Sequence, residues 1–189
     1  MNDFEIIEAI RQGSPEYFKE LVDKYKEMVF RVCLGFVRNR QDAEDITQDV
    51  FFTVYKNIKN FRSESKLSTW IYRIAVNRSL NHIRKRKYAK IFSKADLEEE
   101  NDVNNFPAGE NSTADFKIIS KEKMKIILKA LDKLPSNQRT AFTLFNLKGF
   151  TYEEIAEIMG CSIPAVESRI HRAKMNLQKR LVKYFKEIL

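Results

Sequence analysis

Apolar residues recur along most of this chain at steps of three and four, the period of an amphipathic helix, and no useful length alternates at period two. From Ser14 onward, Phe18, Leu21, Val22, Tyr25, Met28, Val29, Val32 and Phe36 keep one apolar stripe, and Pro15 stands where a first helical position favours proline. A second helix is predicted in DAEDITQDVFFTVYKNI, with Ala43, Ile46, Val50, Val54 and Ile58 as its buried face. A third covers residues 70–84, with Ile71, Tyr72, Ala75, Val76, Ser79, Leu80 and Ile83 on its inner half.

Towards the C-terminus the punctuation sharpens. Gly149 is expected to close one helix, and Thr151 with Glu154 forms a capping box beside a Phe150–Ile155 staple. The short helix so begun ends at Gly160. Ser162 then caps a longer one, with Pro164 in its first turn. Two helices joined by a three- to four-residue, glycine-containing turn are the pattern of a helix-turn-helix. On the longer helix Val166, Ile170, Ala173, Leu177 and Leu181 face inward, so Ser168, His171, Arg172 and Met175 point the other way, where a major groove would lie.

One segment breaks the periodicity. Residues 90–116, KIFSKADLEEENDVNNFPAGENSTADF, hold seven acids against Lys90 and Lys94, with Pro107 and Gly109 among Asn, Ser and Thr. The chain therefore reads as all-α, two small helical domains at 1–89 and 117–189 joined by an acidic flexible linker at 90–116.

Net charge changes the picture further. The chain carries +8, and because the linker carries −5 the rest carries +13, which points to a polyanionic partner. No uncharged run approaches the length of a membrane span, and the acids Asp3, Glu5 and Glu8 do not fit a secretory signal, so a cytoplasmic protein without membrane insertion is expected. Cys33 and Cys161 lie far apart and only His82 and His171 are available, so no metal site is expected, and both cysteines read as small buried residues. Five scattered glycines offer no phosphate loop and no nucleophile stands with a base, so neither a catalytic residue nor a cofactor is expected.

Three polar faces carry the candidate chemistry. Asp42, Glu44, Asp45 and Asp49 put four acids and no base into eight residues, and Asp45, Gln48, Asp49 and Phe52 share a face. An acidic ledge bearing a Phe on a basic protein fits a basic protein partner. On the third helix Trp70, Arg73, Ile74, Asn77, Asn81 and Arg84 share an arc about 100° wide, and residues 61–87 hold eight bases against one acid. An aromatic plane, amide edges and guanidinium groups are what unstacked bases and phosphates require. A Trp near a helix start is also a common core residue, whereas two Asn one turn apart inside a helix need a reason. From residue 163 onward seven bases face two acids, which suits contact with phosphates.

In this order and spacing, DAEDITQDVF, FRSESKLSTWIYRIAVNRSLN and LPSNQRTAFTLFNLKGFTYEEIAEIMGCSIPAVESRIHRAK resemble the extracytoplasmic-function group of bacterial RNA polymerase sigma factors. The resemblance implies a promoter-melting helical bundle (sigma-two), a helix-turn-helix domain (sigma-four), and partners in core RNA polymerase, promoter DNA and an anti-sigma factor. It implies that Asp45, Gln48 and Asp49, with Phe52 beside them, engage the clamp-helix coiled coil of the largest polymerase subunit. The loop from Phe61 to Thr69, including Arg62, Ser63 and Lys66, would take a flipped-out base of the −10 element. Asn77 would read an adjacent base, with Trp70, Arg73, Asn81 and Arg84 completing that surface. Ser168, His171 and Arg172, flanked by Arg169 and Lys174, match the positions that read the −35 element. Glu167 departs from the family, where a basic residue is common, and Ser63 and Lys66 stand where relatives vary.

The linker then has a role to fill. As a flexible coil 27 residues reach about 30 Å, and fully extended about 90 Å, so reading heads more than one DNA turn apart are feasible. Two other classes explain less. A plain helix-turn-helix regulator accounts for residues 117–189 but not for the ledge or the Trp-Asn-Arg arc, and a nucleic-acid enzyme lacks its reactive groups.

Overall fold

The computed structural model describes residues 2–93, 114–147 and 149–186, with side chains over 2–89, 122–147 and 149–182. The chain divides into two compact units, Met1–Glu98 and Glu99–Leu189. Among the described residues every regular element is helical.

The first unit contains α1 (Asp3–Arg11), α2 (Glu16–Val37), α3 (Arg40–Asn57), a 3₁₀ turn at Ile58–Asn60 and α4 (Leu67–Ser93). The stripes predicted for α2 and α3 face the core, with Leu21, Val29, Val32, Val50, Val54 and Ile58 fully enclosed and Phe18, Val22 and Met28 half-buried, and α4 adds Ile71 and Ala75. Helices α2, α3 and α4 pack pairwise around this core. Truncating Leu21, Ile58 or Ile71 to Ala would cost about 2–5 kcal/mol, because the surroundings collapse only in part. Asn39 starts α3 by accepting the Asp42 amide at 2.9 Å, which fixes the ledge helix at its first turn.

Local details differ from the sequence expectations. Helix α2 begins at Glu16, with Pro15 just outside it. Helix α1 was not foreseen by the apolar pattern. Asn2 and Glu5 form its capping box, and Ile6, Ile7 and Ile10 bury its inner face. Helix α4 continues to Ser93 and α5 starts at Ala114, so both ends of the expected linker are helical; residues 94–113 lie outside the described residues.

The second unit contains α5 (Ala114–Asp132), α6 (Ser136–Asn146), α7 (Tyr152–Met159) and α8 (Ile163–Lys186). Helix α6 stops at Asn146, three residues before Gly149, which instead takes φ 115° in the connection. The Thr151–Glu154 capping box forms as the sequence requires, with Glu154 N to Thr151 Oγ1 at 3.2 Å and Thr151 N to Glu154 Oε2 at 3.0 Å. Gly160 ends α7 at φ 61°, a left-handed conformation that glycine adopts without penalty. Val166, Ile170, Ala173 and Leu177 are buried, with Leu181 packed beside them, so the inner stripe of α8 is the predicted one.

Candidate nucleic-acid interface

The four acids of α3 divide into two kinds. Asp42 Oδ2 receives Arg86 Nη1 at 3.2 Å and lies 3.3 Å from His82 Nε2, both from α4. Glu44 Oε1 is bound by Arg40 Nε at 2.8 Å within α3. Asp45 and Asp49 are exposed, and no ion pair with another described residue engages either carboxylate. Gln48 is exposed between them, and Phe52 is 58% exposed with Lys56 Nζ 4.2 Å above its ring centre. The fold neutralises two acids and leaves the other two, with an aromatic ring, facing water.

The outer arc of α4 is largely as expected. Arg73, Asn77, Asn81 and Arg84 are exposed, and the side chains of Asn77 and Asn81 make no hydrogen bond to another described residue. Other helix asparagines do otherwise: Asn57 and Asn146 each donate to a carbonyl four residues back at 2.7 Å. Trp70 is half-buried, its ring 5.1 Å from that of Phe61 and tilted by 41°. It therefore serves the core with one face and keeps partial access with the rest.

The loop ahead of α4 is mixed. Arg62, Ser63 and Lys66 are exposed, and Ser63 adopts φ 56°. Phe61 is only 7% exposed and Thr69 2%, so these two side chains support the loop from beneath. Polarity of Thr and loop position of Phe both hid that burial from a sequence reading. Arg11, from α1, donates through Nη2 to the Phe61 carbonyl, a link that no local pattern announces.

On α8, His171 and Arg172 are exposed and Ser168 is half-buried, all away from the inner stripe. Arg169 turns back, with Nη1 3.0 Å from Cys161 Sγ. Cys161 is thus half-buried rather than a core residue, whereas Cys33 is fully enclosed and burial pushes its thiol pKa up. Lys174 Nζ sits 4.7 Å over the Phe145 ring, which stacks on Tyr152 at 5.9 Å. Glu153, in the first turn of α7, has its pKa lowered by a backbone amide and by the Thr151 hydroxyl. No group of side chains able to hold a metal ion occurs among the described residues.

Two helical units with these faces are those of a sigma-70-type transcription initiation factor: residues 21–88 match the Sigma-70 region 2 family, and residues 124–177 match Sigma-70, region 4. The chain is 33% identical to the ECF RNA polymerase sigma-E factor of Haemophilus influenzae over 96% of each. It is 31% identical to the RNA polymerase sigma-H factor of Pseudomonas aeruginosa, over 98% of this chain and 96% of that one. The chain belongs to the extracytoplasmic-function sigma factors of the sigma-70 family. As such it binds core RNA polymerase and promoter DNA and directs transcription initiation.

Solved structures agree in fold. CnrH in complex with the cytosolic domain of CnrY superimposes with a TM-score of 0.65 at 20% identity, covering 96% of this chain and 97% of that one. The sigma factor RpoE of Bartonella quintana, in complex with the anti-sigma factor NepR, gives 0.62 at 27% identity, covering 87% and 96%. Among the described residues no helix is long and apolar enough to cross a membrane.

Proposed function

We propose that this sigma factor docks on core polymerase through Asp45, Gln48, Asp49 and Phe52, melts and reads the −10 element with the Phe61–Thr69 loop and the outer arc of α4, and reads the −35 element with α8. It acts in the cytoplasm, has no catalytic centre of its own, and is held inactive by an anti-sigma factor, a reading supported by the similar sigma factor RpoE of Bartonella quintana, which was solved in complex with the anti-sigma factor NepR.

One observation carries the docking assignment. Asp42 and Glu44 are spent inside the domain, while Asp45 and Asp49 have no charge partner among the described residues. An unneutralised acidic pair beside an exposed Phe supports association with a basic helical surface, where charge sets rate and register and the ring supplies apolar area. Within the −10 surface, Arg62, Ser63, Lys66, Trp70, Arg73, Asn77, Asn81 and Arg84 are the accessible side chains, and Phe61 and Thr69 shape the loop from below. In the −35 set, Ser168, His171 and Arg172 offer base contacts, Lys174 a phosphate contact, and Arg169 braces the turn through Cys161.

Replacing Asp45 and Asp49 together by Lys tests the docking face. Core affinity should fall at least about tenfold, since like charges would then meet, and helicity should be retained because both positions are exposed. Native core binding by this folded variant would remove α3 from the interface.

A further inference from the structure

Helix α1 lies outside the residues matched by region 2, yet it is fastened at both ends. At its start, Asp3 accepts Lys24 Nζ and Tyr25 Oη from α2, each at 2.7 Å. At its end, Arg11 Nη1 is held by Glu8 Oε1 at 2.6 Å, and Nη2 donates to the backbone carbonyl of Phe61, fifty residues away. Phe61 opens the loop between the 3₁₀ turn and α4, a stretch with no regular element of its own and with Ser63 in the left-handed region.

Three contacts fix where that loop begins. The Phe61 ring is buried against Trp70, its amide donates to Ile58 O at 3.1 Å, and its carbonyl accepts from Arg11. The third comes from a different helix and involves a charged donor, which makes it stronger than a neutral bond. Arg11 Nε is buried without a partner, so this half-buried side chain gives up part of its hydration to make it. A guanidinium so placed, with the Glu8 carboxylate orienting it, restrains the backbone carbonyl at the entrance to the loop.

We infer that Arg11 is a positioning residue for promoter melting: through the Phe61 carbonyl it holds the loop and Trp70 in the geometry that receives the −10 element. The inference rests on the −10 reading above, and its test separates the two. Trp70 is the only tryptophan in the chain, so intrinsic fluorescence reports the loop entrance directly in the full-length protein.

Arg11→Met keeps the aliphatic stem and removes the donors. We expect a red-shifted Trp70 emission and easier iodide quenching at native helicity. In the complex with core polymerase, core affinity should be unchanged, and permanganate reactivity of bubble thymines on a promoter that this chain activates should fall about tenfold, as loss of a charge-assisted bond predicts. Arg11→Lys should restore both signals in part. Unchanged emission, quenching and opening in folded Arg11→Met would overturn the inference. Should Arg11→Met lose helicity, Glu8→Gln decides in its place: raised quenching supports the coupling, and native quenching refutes it. Asn77→Ala serves as the control, expected to reduce opening while leaving Trp70 fluorescence native. If Asn77→Ala opens promoters normally, the −10 reading of this face fails, while the fluorescence still decides whether Arg11 holds the loop.

Discussion

At the scale of single residues, function here depends on which charges the fold consumes. Sequence shows four acids on α3, with Arg40 and Glu44 at the i,i+4 spacing of a local pair, and only the packed structure shows that α4 neutralises Asp42. The same holds on α8, where Arg169 and Arg172 look equivalent in sequence, yet one is bound to Cys161 and the other is exposed. Exposure of Asn77, Asn81, His171 and Arg172 was legible because helical period alone decides which side a residue occupies. Burial of Phe61 and Thr69 was not, since they flank a loop and answer to tertiary contacts. Arg172 leads to a prediction of its own. Loss of a guanidinium that forks onto guanine should cost about 1–3 kcal/mol of discrimination at one base pair, whereas loss of a phosphate contact weakens all sequences alike and lowers the salt slope by about one unit. Arg172→Ala should therefore relax preference at one −35 position, and Lys174→Ala should weaken binding uniformly. Duplex-library binding by the holoenzyme at two salt concentrations distinguishes them, and a uniform loss for Arg172→Ala would make it a backbone clamp.

At the scale of elements, legibility followed local chemistry. The α7–turn–α8 unit was readable to the residue because its boundaries follow local chemistry: Thr151 and Glu154 cap the start, Gly160 takes the left-handed end, and α8 begins directly after Ser162, whose carbonyl accepts the Ala165 and Val166 amides. Helix α1 carries the same signal in Asn2 and Glu5, but its nine residues hold too short an apolar pattern to stand out. Thr151→Ala removes one side of the reciprocal cap and should cost about 1 kcal/mol, or a fall of roughly 4–8 °C in the melting of a domain this size. Gly160→Ala meets no atom within 4 Å, so its cost is backbone strain alone, about 1–2 kcal/mol for an alanine held at φ 61°. Thermal unfolding of the full chain, followed by helicity, checks both. An unshifted melting curve for Gly160→Ala would mean that the turn adopts another conformation in solution.

For the whole molecule, the sequence pattern led to two helical units with an acidic segment along the chain between their helices. It was readable because helical stripes are interrupted only once, across a segment that reverses the sign of the charge. On the proposed function, the unit matched by region 2 would supply the ledge and the melting face, and the unit matched by region 4 the −35 reader. If this chain directs initiation, core polymerase alone is unable to choose the promoters that the chain selects. Purified core enzyme, incubated with genomic DNA with and without the full-length chain, tests this through the 5′ ends of the transcripts made. New start sites that depend on the chain, share a pair of upstream elements and vanish with the Asp45→Lys, Asp49→Lys variant are the predicted result. An unchanged set of start sites with the folded chain present would contradict it.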